Sequence, residues 1–368
     1  MTIKEYPLSL SVDYLAHWTV EDAIREILQN ALDRGQLQYI WNVLTESNDY
    51  SLAVYTPDVQ LHQSLLLLGN GTKQEGDRGG FGEGFKLALL ILAREGMTVK
   101  VTNGNKIWTP VLRDDPLFGT EMLYIIETEN PDEPVGLMYE ISGLTSIEKD
   151  NVEERTLAMH TKEQIGEITE TNKGRILHDK PNMIYVGGLY VCKSSGLECG
   201  YDFNPNVLEL NRDRQAVPSW DMKREAQNMW LFSENNDKIL DMVLNVSGEM
   251  DSLHYNYERT QDTCKVFYEK HIEMHGDVPI ADTKRDLDRM ISEGYTDTVF
   301  IGNENFSDTV RKCKDYKEVP KEIILTPTEI LKEIGRDCFE EHSVGHPAVV
   351  IMYEDYQELI ERSKGWKT

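Results

Sequence analysis

A narrow polar stripe on an otherwise apolar helix, followed further along by a glycine-rich turn, restricts this chain more than any other feature. The stripe lies in Glu26-Ile27-Leu28-Gln29-Asn30-Ala31-Leu32-Asp33. At ~100° per residue, Glu26, Asn30 and Asp33 fall within roughly 60° of one another. Ile24, Ile27, Leu28, Ala31 and Leu32 cover the remaining circumference and predict burial. Thr19 with Asp22 makes a short capping box at the start, and Gly35 past Arg34 supplies the stop. Such a stripe suits a surface helix facing water equally well. Facing a cleft, it does chemistry. Asn30 then offers a carbonyl oxygen to Mg²⁺, a hard cation that takes few protein oxygens. Glu26, one turn back, orients and deprotonates an attacking water. Asp33 supports the far wall.

The second stretch is Gly79-Gly80-Phe81-Gly82-Glu83-Gly84-Phe85-Lys86. Its glycines follow G-x-x-G-x-G at Gly79, Gly82 and Gly84, and glycine lets backbone approach phosphate closely. The apolar run Phe85 to Ala93 predicts a helix beginning near Gly84, whose first N–H groups face anionic oxygens. The polar segment from Asn70 to Asp77, with Gly71, Lys73 and Gly76, reads as a lid. Two other nucleotide motifs are not matched. No G-x-x-x-x-G-K-[ST] occurs, because Phe85-Lys86 follows Gly84. The dinucleotide fingerprint needs a strand directly before its first glycine, and Gln74-Glu75-Gly76-Asp77-Arg78 is a loop.

E-x-x-x-N-x-x-D on an early helix, then a lid, then G-x-x-G-x-G, resembles the GHKL ATPase superfamily. The wording Ala23 to Asp33, with Leu66-Leu67-Leu68-Gly69, Thr72-Lys73 and Gly82-Glu83-Gly84-Phe85-Lys86, is most similar to rIIA-like ATP-binding proteins of large phages. The resemblance implies ATP and Mg²⁺ as ligands, a Bergerat-type sandwich, and dimerisation in the ATP-bound state. It implies Glu26 as catalytic base, Asn30 as magnesium ligand and Gly79, Gly82 and Gly84 as the phosphate turn. Asp33, Lys73, Gly80, Phe81, Glu83, Phe85 and Lys86 complete the implied nucleotide site. One part departs from the pattern. The family's D-x-G-x-G is missing after the strand Ser51 to Tyr55, where Thr56-Pro57-Asp58-Val59-Gln60-Leu61 follows. Thr56 stands at the usual Asp position and Asp58 is the nearest carboxylate, so both are candidates for base recognition. A Gly-Thr that opens a late strand in the family corresponds either to Gly119-Thr120 or to Gly136-Leu137.

The chain of 368 residues is long enough for about two or three domains. The pattern predicts an α+β fold in three parts. These are an ATP-binding domain over 1–150, a transducer-like α/β domain over 151–249, and a small α/β domain over 250–368. In the first, 36–44 reads as a helix or helical extension, His62 to Leu68 as a helical patch, and the strands as an antiparallel-rich sheet. In the second, 151–168 reads as helical, followed by strands and then helices at 219–232 and 235–247. Arg212 and Arg214 are the implied basic residues reaching the γ-phosphate. In the third, Val299 to Gly302 and Ala348 to Met352 read as strands, with helices near 258–275, 283–293, 305–315 and 327–341. His271 and His275, and Cys338, His342 and His346, are spaced by four, yet neither group forms H-E-x-x-H.

The formal charge of −26 argues against nucleic acid as a general partner, since phosphate contacts need clustered Lys and Arg. Basic partners or simple solubility suit it better. Five scattered cysteines without C-x-x-C, no bilayer-length apolar run and no signal-peptide pattern at Met1-Thr2-Ile3-Lys4-Glu5 point to a reducing cytoplasm, the host's if phage-encoded. The functional expectation is a GHKL-type ATPase acting as a nucleotide-driven switch. The alternative is a nucleotide-gated interaction or inhibitor protein that binds ATP and hardly hydrolyses it.

Overall fold

Alternating apolar and polar residues build a seven-stranded antiparallel sheet in the first part of the chain. Its strands are β1 (Lys4–Ser11), β2 (Gln38–Leu44), β3 (Asp49–Thr56), β4 (Thr98–Gly104), β5 (Lys106–Asp115), β6 (Thr120–Glu129) and β7 (Val135–Leu144). They lie in the order β1-β6-β5-β4-β7-β3-β2. In this computed structural model, residues 3–35, 37–47, 49–67, 83–130, 135–210, 219–318, 356–357 and 359–363 are described. Register explains the core. Val54 pairs with Tyr139, Tyr139 with Val101, Val101 with Trp108, and Trp108 with Glu127, so one buried row crosses the sheet. Period-two alternation puts the whole row on one face.

Two helices cover that face. α1 (Val20–Asp33) and α2 (Gly84–Arg94) pack on each other and share a core cluster with the sheet. The capping box of α1 is present: the Asp22 N–H donates to Thr19 Oγ1, and the Asp22 carboxylate accepts from the Thr19 N–H. Gly35 follows with φ +75°, a left-handed conformation that favours glycine. At the far end of α2, the Arg94 guanidinium donates to the carbonyls of Val12, Tyr14, Leu15 and Trp18. The end of α2 is thereby tied to the loop that enters α1. Of the two aromatics in that loop, Trp18 is buried and Tyr14 is exposed.

The stretch expected to be helical over 36–44 is instead strand β2. Tyr39 and Trp41 face the core opposite Val54 and Leu52, whereas Ile40 and Val43 are exposed. Aromatic and β-branched residues beside a ready partner strand favour the ladder over the helix. The patch near residue 65 is a 3₁₀ turn, Gln63–Leu66. Residues 151–168 are only partly helical. Helix α3 (Ser146–Glu154) starts earlier, capped by Thr145, and a 3₁₀ turn and the short α4 (Lys162–Ile165) follow.

A second sheet contains β8 (Ile168–Thr171), β9 (Gly174–Leu177), β10 (Met183–Val186), β11 (Leu189–Lys193) and β12 (Gly200–Phe203). Its order is β11-β10-β12-β9-β8, with β10 and β12 parallel. Helices α5 (Ser219–Phe232), α6 (Asn236–Leu244), α7 (Gln261–His275), α8 (Lys284–Ser292) and α9 (Glu304–Arg311) follow, with a parallel pair β13 (Ile280–Ala281) and β14 (Val299–Phe300). One apolar cluster joins Ile184, Tyr201, Trp230, Phe267 and Phe306, and extends to Cys313. A boundary at residue 250 therefore passes through a shared core. By compactness the chain divides into Met1–Tyr316 and Lys317–Thr368. In the second unit, 356–357 and 359–363 are helical. The expected helix at 327–341 and strand at 348–352 lie outside the described residues. Over the described residues of the first unit the architecture is α+β.

Candidate functional site

The two sequence stretches meet in space at Gly84. Glu26 is on the buried side of α1, only 4% exposed. Its carboxylate lies against the first residue of α2, where a Cβ added to Gly84 would collide with Oε2. Any side chain at 84 would have to displace that carboxylate. The first turn of a helix carries N–H groups without intrahelical acceptors, and its dipole favours negative charge. A carboxylate at this place is thus electrostatically at home. Arg25 flanks it, with its guanidinium 3.6 Å from Glu26 Oε1, 3.9 Å from Asp22 Oδ1 and 5.9 Å from the centre of the Trp18 ring.

Asn30 and Asp33, one and two turns further along α1, are half-buried. The three residues of the stripe thus share one helix face, as the spacing predicts, with Glu26 the most enclosed. Thr56 and Asp58 separate clearly. Thr56 ends β3, is buried, and lies on the helix-covered face with Leu52 and Val54. Asp58 is exposed, with a left-handed backbone at φ +58°. Gly136 packs on this corner: a Cβ there would sit 3.0 Å from the Asp58 nitrogen and closer still to the Thr56 carbonyl. Gly119 has open space around it instead.

The chain beyond Thr56 is pinned to the sheet by polar anchors. Asn103 accepts from the Leu61 N–H at 2.8 Å and donates to the Leu61 carbonyl at 2.9 Å. Gln63 donates to the Glu127 carboxylate at 3.1 Å, which also accepts from Trp108 Nε1 at 2.9 Å. Lys86 is fully enclosed and donates to the carbonyls of Leu65 and Leu67, at 3.0 and 2.5 Å. Burial pushes its ammonium below the ordinary lysine value, and the nearby Glu83 charge only partly offsets this. Phe85 is buried in the core. Glu83 occupies the N-cap position of α2 without a side-chain capping bond. Lys73, Gly79, Gly80, Phe81, Gly82, Arg212 and Arg214 lie outside the described residues.

The second sheet reaches α1 on a neighbouring face. Arg25 and the buried Gln29 line a small cavity of about 20 Å³ with Val186, Leu189, Tyr190, Val191 and Leu210. Sequence reasoning does not find this contact, although a polar Gln29 between Leu28 and Asn30 widens the polar arc beyond what one cleft needs. A larger cavity, about 370 Å³, opens between α6 and α9. Its polar groups are engaged within the fold: Asn305 Oδ1 accepts the His254 N–H, and Asn303 donates to the Val243 carbonyl. Of the expected histidine spacings, His271 is wholly buried, with Nε2 2.8 Å from the Val278 carbonyl. No cluster of three or more potential metal-binding His, Cys, Asp or Glu residues occurs among the described residues. Nor is any described helix long and apolar enough to cross a membrane.

No family model matches the chain. A protein of Mycoplasma pneumoniae, described only as uncharacterized, is 25% identical over 226 residues, covering 55% of this chain and 87% of that protein.

Proposed function

We propose that the chain is a GHKL-type ATPase that binds ATP and Mg²⁺ between α1 and the start of α2. One observation carries the reading: the Glu26 carboxylate lies against Gly84, so the acid of the first motif and the last glycine of the second meet at one helix N-terminus. That cradle and the half-buried Asn30 on the same stripe fit the triphosphate and its metal. Asn30 would hold the metal through its side-chain oxygen, and the metal would supply charge neutralisation at the phosphates. Glu26 holds the attacking water and takes its proton as the γ-phosphoryl group leaves ADP. Such catalysis is mostly positioning and charge stabilisation. The second sheet, in contact with α1 at Arg25 and Gln29, is the transducer-like element that responds to nucleotide, in an ATP-bound homodimer. The described cysteines, Cys192, Cys199, Cys264 and Cys313, are free thiols, which supports a reducing cytoplasm.

Thr56 favours a second reading in one respect. A buried hydroxyl at the base-recognition corner both donates and accepts, so it discriminates poorly between purines. A nucleotide-gated binding protein with slow turnover follows from the same fold. The test is calorimetry with ATP, ADP and GTP in Mg²⁺, joined to turnover assays of Glu26→Gln. Hydrolysis is expected to fall by about 10²–10⁴-fold with ATP affinity retained. Unchanged turnover in Glu26→Gln overturns the role of Glu26. Absence of nucleotide binding overturns both readings.

A further inference from the structure

Lys86 is the most enclosed charged group near the site. The helix around it is apolar on nearly every side, and Leu89 and Leu90, the neighbours one turn on, are wholly buried. A methionine would fill the same volume. Enclosing an ammonium is costly before its hydrogen bonds are counted. A cation in the first turn of a helix also opposes the helix dipole. Without partners for its ammonium, position 86 would be poorly suited to lysine.

Its contacts indicate what the lysine does. The Nζ donates to Leu65 O at 3.0 Å and to Leu67 O at 2.5 Å. These carbonyls lie at the end of the 3₁₀ turn Gln63–Leu66, where backbone acceptors lack partners within the turn. Side chains on a helix lean toward its N-terminus, so the ammonium sits level with the first turn of α2. That turn begins at Gly84, against Glu26. The 3₁₀ turn is itself anchored to β6 through Gln63 and Glu127, and the strap before it, at Leu61, to β4 through Asn103. A chain of hydrogen bonds thus runs from the sheet, through the 3₁₀ turn, to the start of α2.

We propose that Lys86 is a positioning residue of the triphosphate site: it grips the Leu65 and Leu67 carbonyls, and so holds Gly84 in place against the Glu26 carboxylate, without touching nucleotide. This rests on the ATPase reading above and deepens it. It reassigns Lys86 from the set of residues expected to bind the nucleotide.

The test compares Lys86→Met and Lys86→Arg with the wild-type full-length chain. Turnover, ATP affinity by calorimetry and thermal midpoint are measured for each. Positioning predicts that Lys86→Met lowers kcat by about tenfold or more, because small displacements of reacting groups are costly. ATP affinity should stay within about threefold, and the melting midpoint should change little, because the burial cost removed with the ammonium is opposed by the loss of its hydrogen bonds to two carbonyls. Lys86→Arg, which keeps donors for the carbonyls, recovers part of the lost turnover. A loss of affinity at unchanged kcat would make Lys86 a direct ligand and overturn the proposal. A lowered midpoint with unchanged kcat would make it a structural residue only. If Lys86→Met does not fold, Lys86→Arg alone must show reduced kcat at unchanged affinity, and wild-type kcat in that variant overturns the proposal. A wild-type chain that neither binds nor hydrolyses ATP removes the parent reading and this one together. An active wild type with unchanged variants removes this one alone.

Discussion

Glycine at position 84 is a matter of room. The residue is helical, and alanine there would ordinarily favour the helix by about 1 kcal/mol. Here the added Cβ would run into the Glu26 carboxylate. The expected outcome is a sign change that depends on residue 26. Gly84→Ala alone should destabilise the protein and reduce turnover. In a Glu26→Ala background the same substitution should stabilise by roughly 0.5–1 kcal/mol. Urea unfolding of the four proteins in the cycle measures this; additive effects would mean that the contact has no energetic weight. The meeting of Glu26 with Gly84 was legible in the sequence, because helical spacing and glycine placement carry it. The inward turn of Lys86 was less so. A signal was nevertheless present, since Lys86 is in helical register with Leu89 and Leu90 on a helix with no polar face. Thr56 and Asp58 could not be separated from sequence, because the strand ends at Thr56 and the left-handed backbone at Asp58 itself breaks the alternation that would place both on one face.

Among elements, the buried Glu127 ties several together. It joins β6 to β5 through Trp108, to the 3₁₀ turn through Gln63, and approaches Lys4 of β1 at 3.6 Å and Lys106 at 3.4 Å. Burial pushes its carboxyl up, but hydrogen bonds from Trp108 and Gln63 and the charge of Lys106 outweigh this and hold it below the ordinary range. The unfolded chain then takes up the proton first. The stabilisation from this group is full above the ordinary glutamate value, about 4.3, and is lost as pH falls through the lower folded value. Glu127→Gln should cost about 1–3 kcal/mol at neutral pH. Its melting midpoint should also fall less steeply than that of the wild type between about pH 5 and pH 3. Parallel pH profiles for the two proteins would contradict this. Strand β3 was foreseen over Ser51 to Tyr55, within an antiparallel-rich sheet, because alternation and the flanking turn residues agree there. β2 was not, because a short apolar-aromatic run reads as either helix or strand until its partner is known.

At the scale of the molecule, the core of the second sheet does not close at residue 249. Trp230 and Met242 share a cluster with Phe267, Phe306 and Val310. A chain ending at 249 should therefore expose apolar surface and lose cooperative unfolding, whereas one ending at 316 keeps that cluster whole. Circular dichroism melts of the two truncations distinguish the cases; a sharp transition in the shorter one would show that the later helices are dispensable. Sequence periodicity located most of these helices but not their common core, because the residues that meet are far apart along the chain. Leu189 belongs to β11 yet is buried with the first core. Beside it, the Leu157 N–H donates to Gly188 O and the Tyr190 N–H to Arg155 O, both at 2.9 Å. With Tyr185 Oη donating to the Glu154 carbonyl and the Arg155 guanidinium over the Tyr190 ring, these contacts stitch the second sheet to the layer behind α1. Heat or denaturant that loosens either sheet must break this seam before the other can respond separately, so the seam decides whether the two halves of the first unit melt as one body or in sequence.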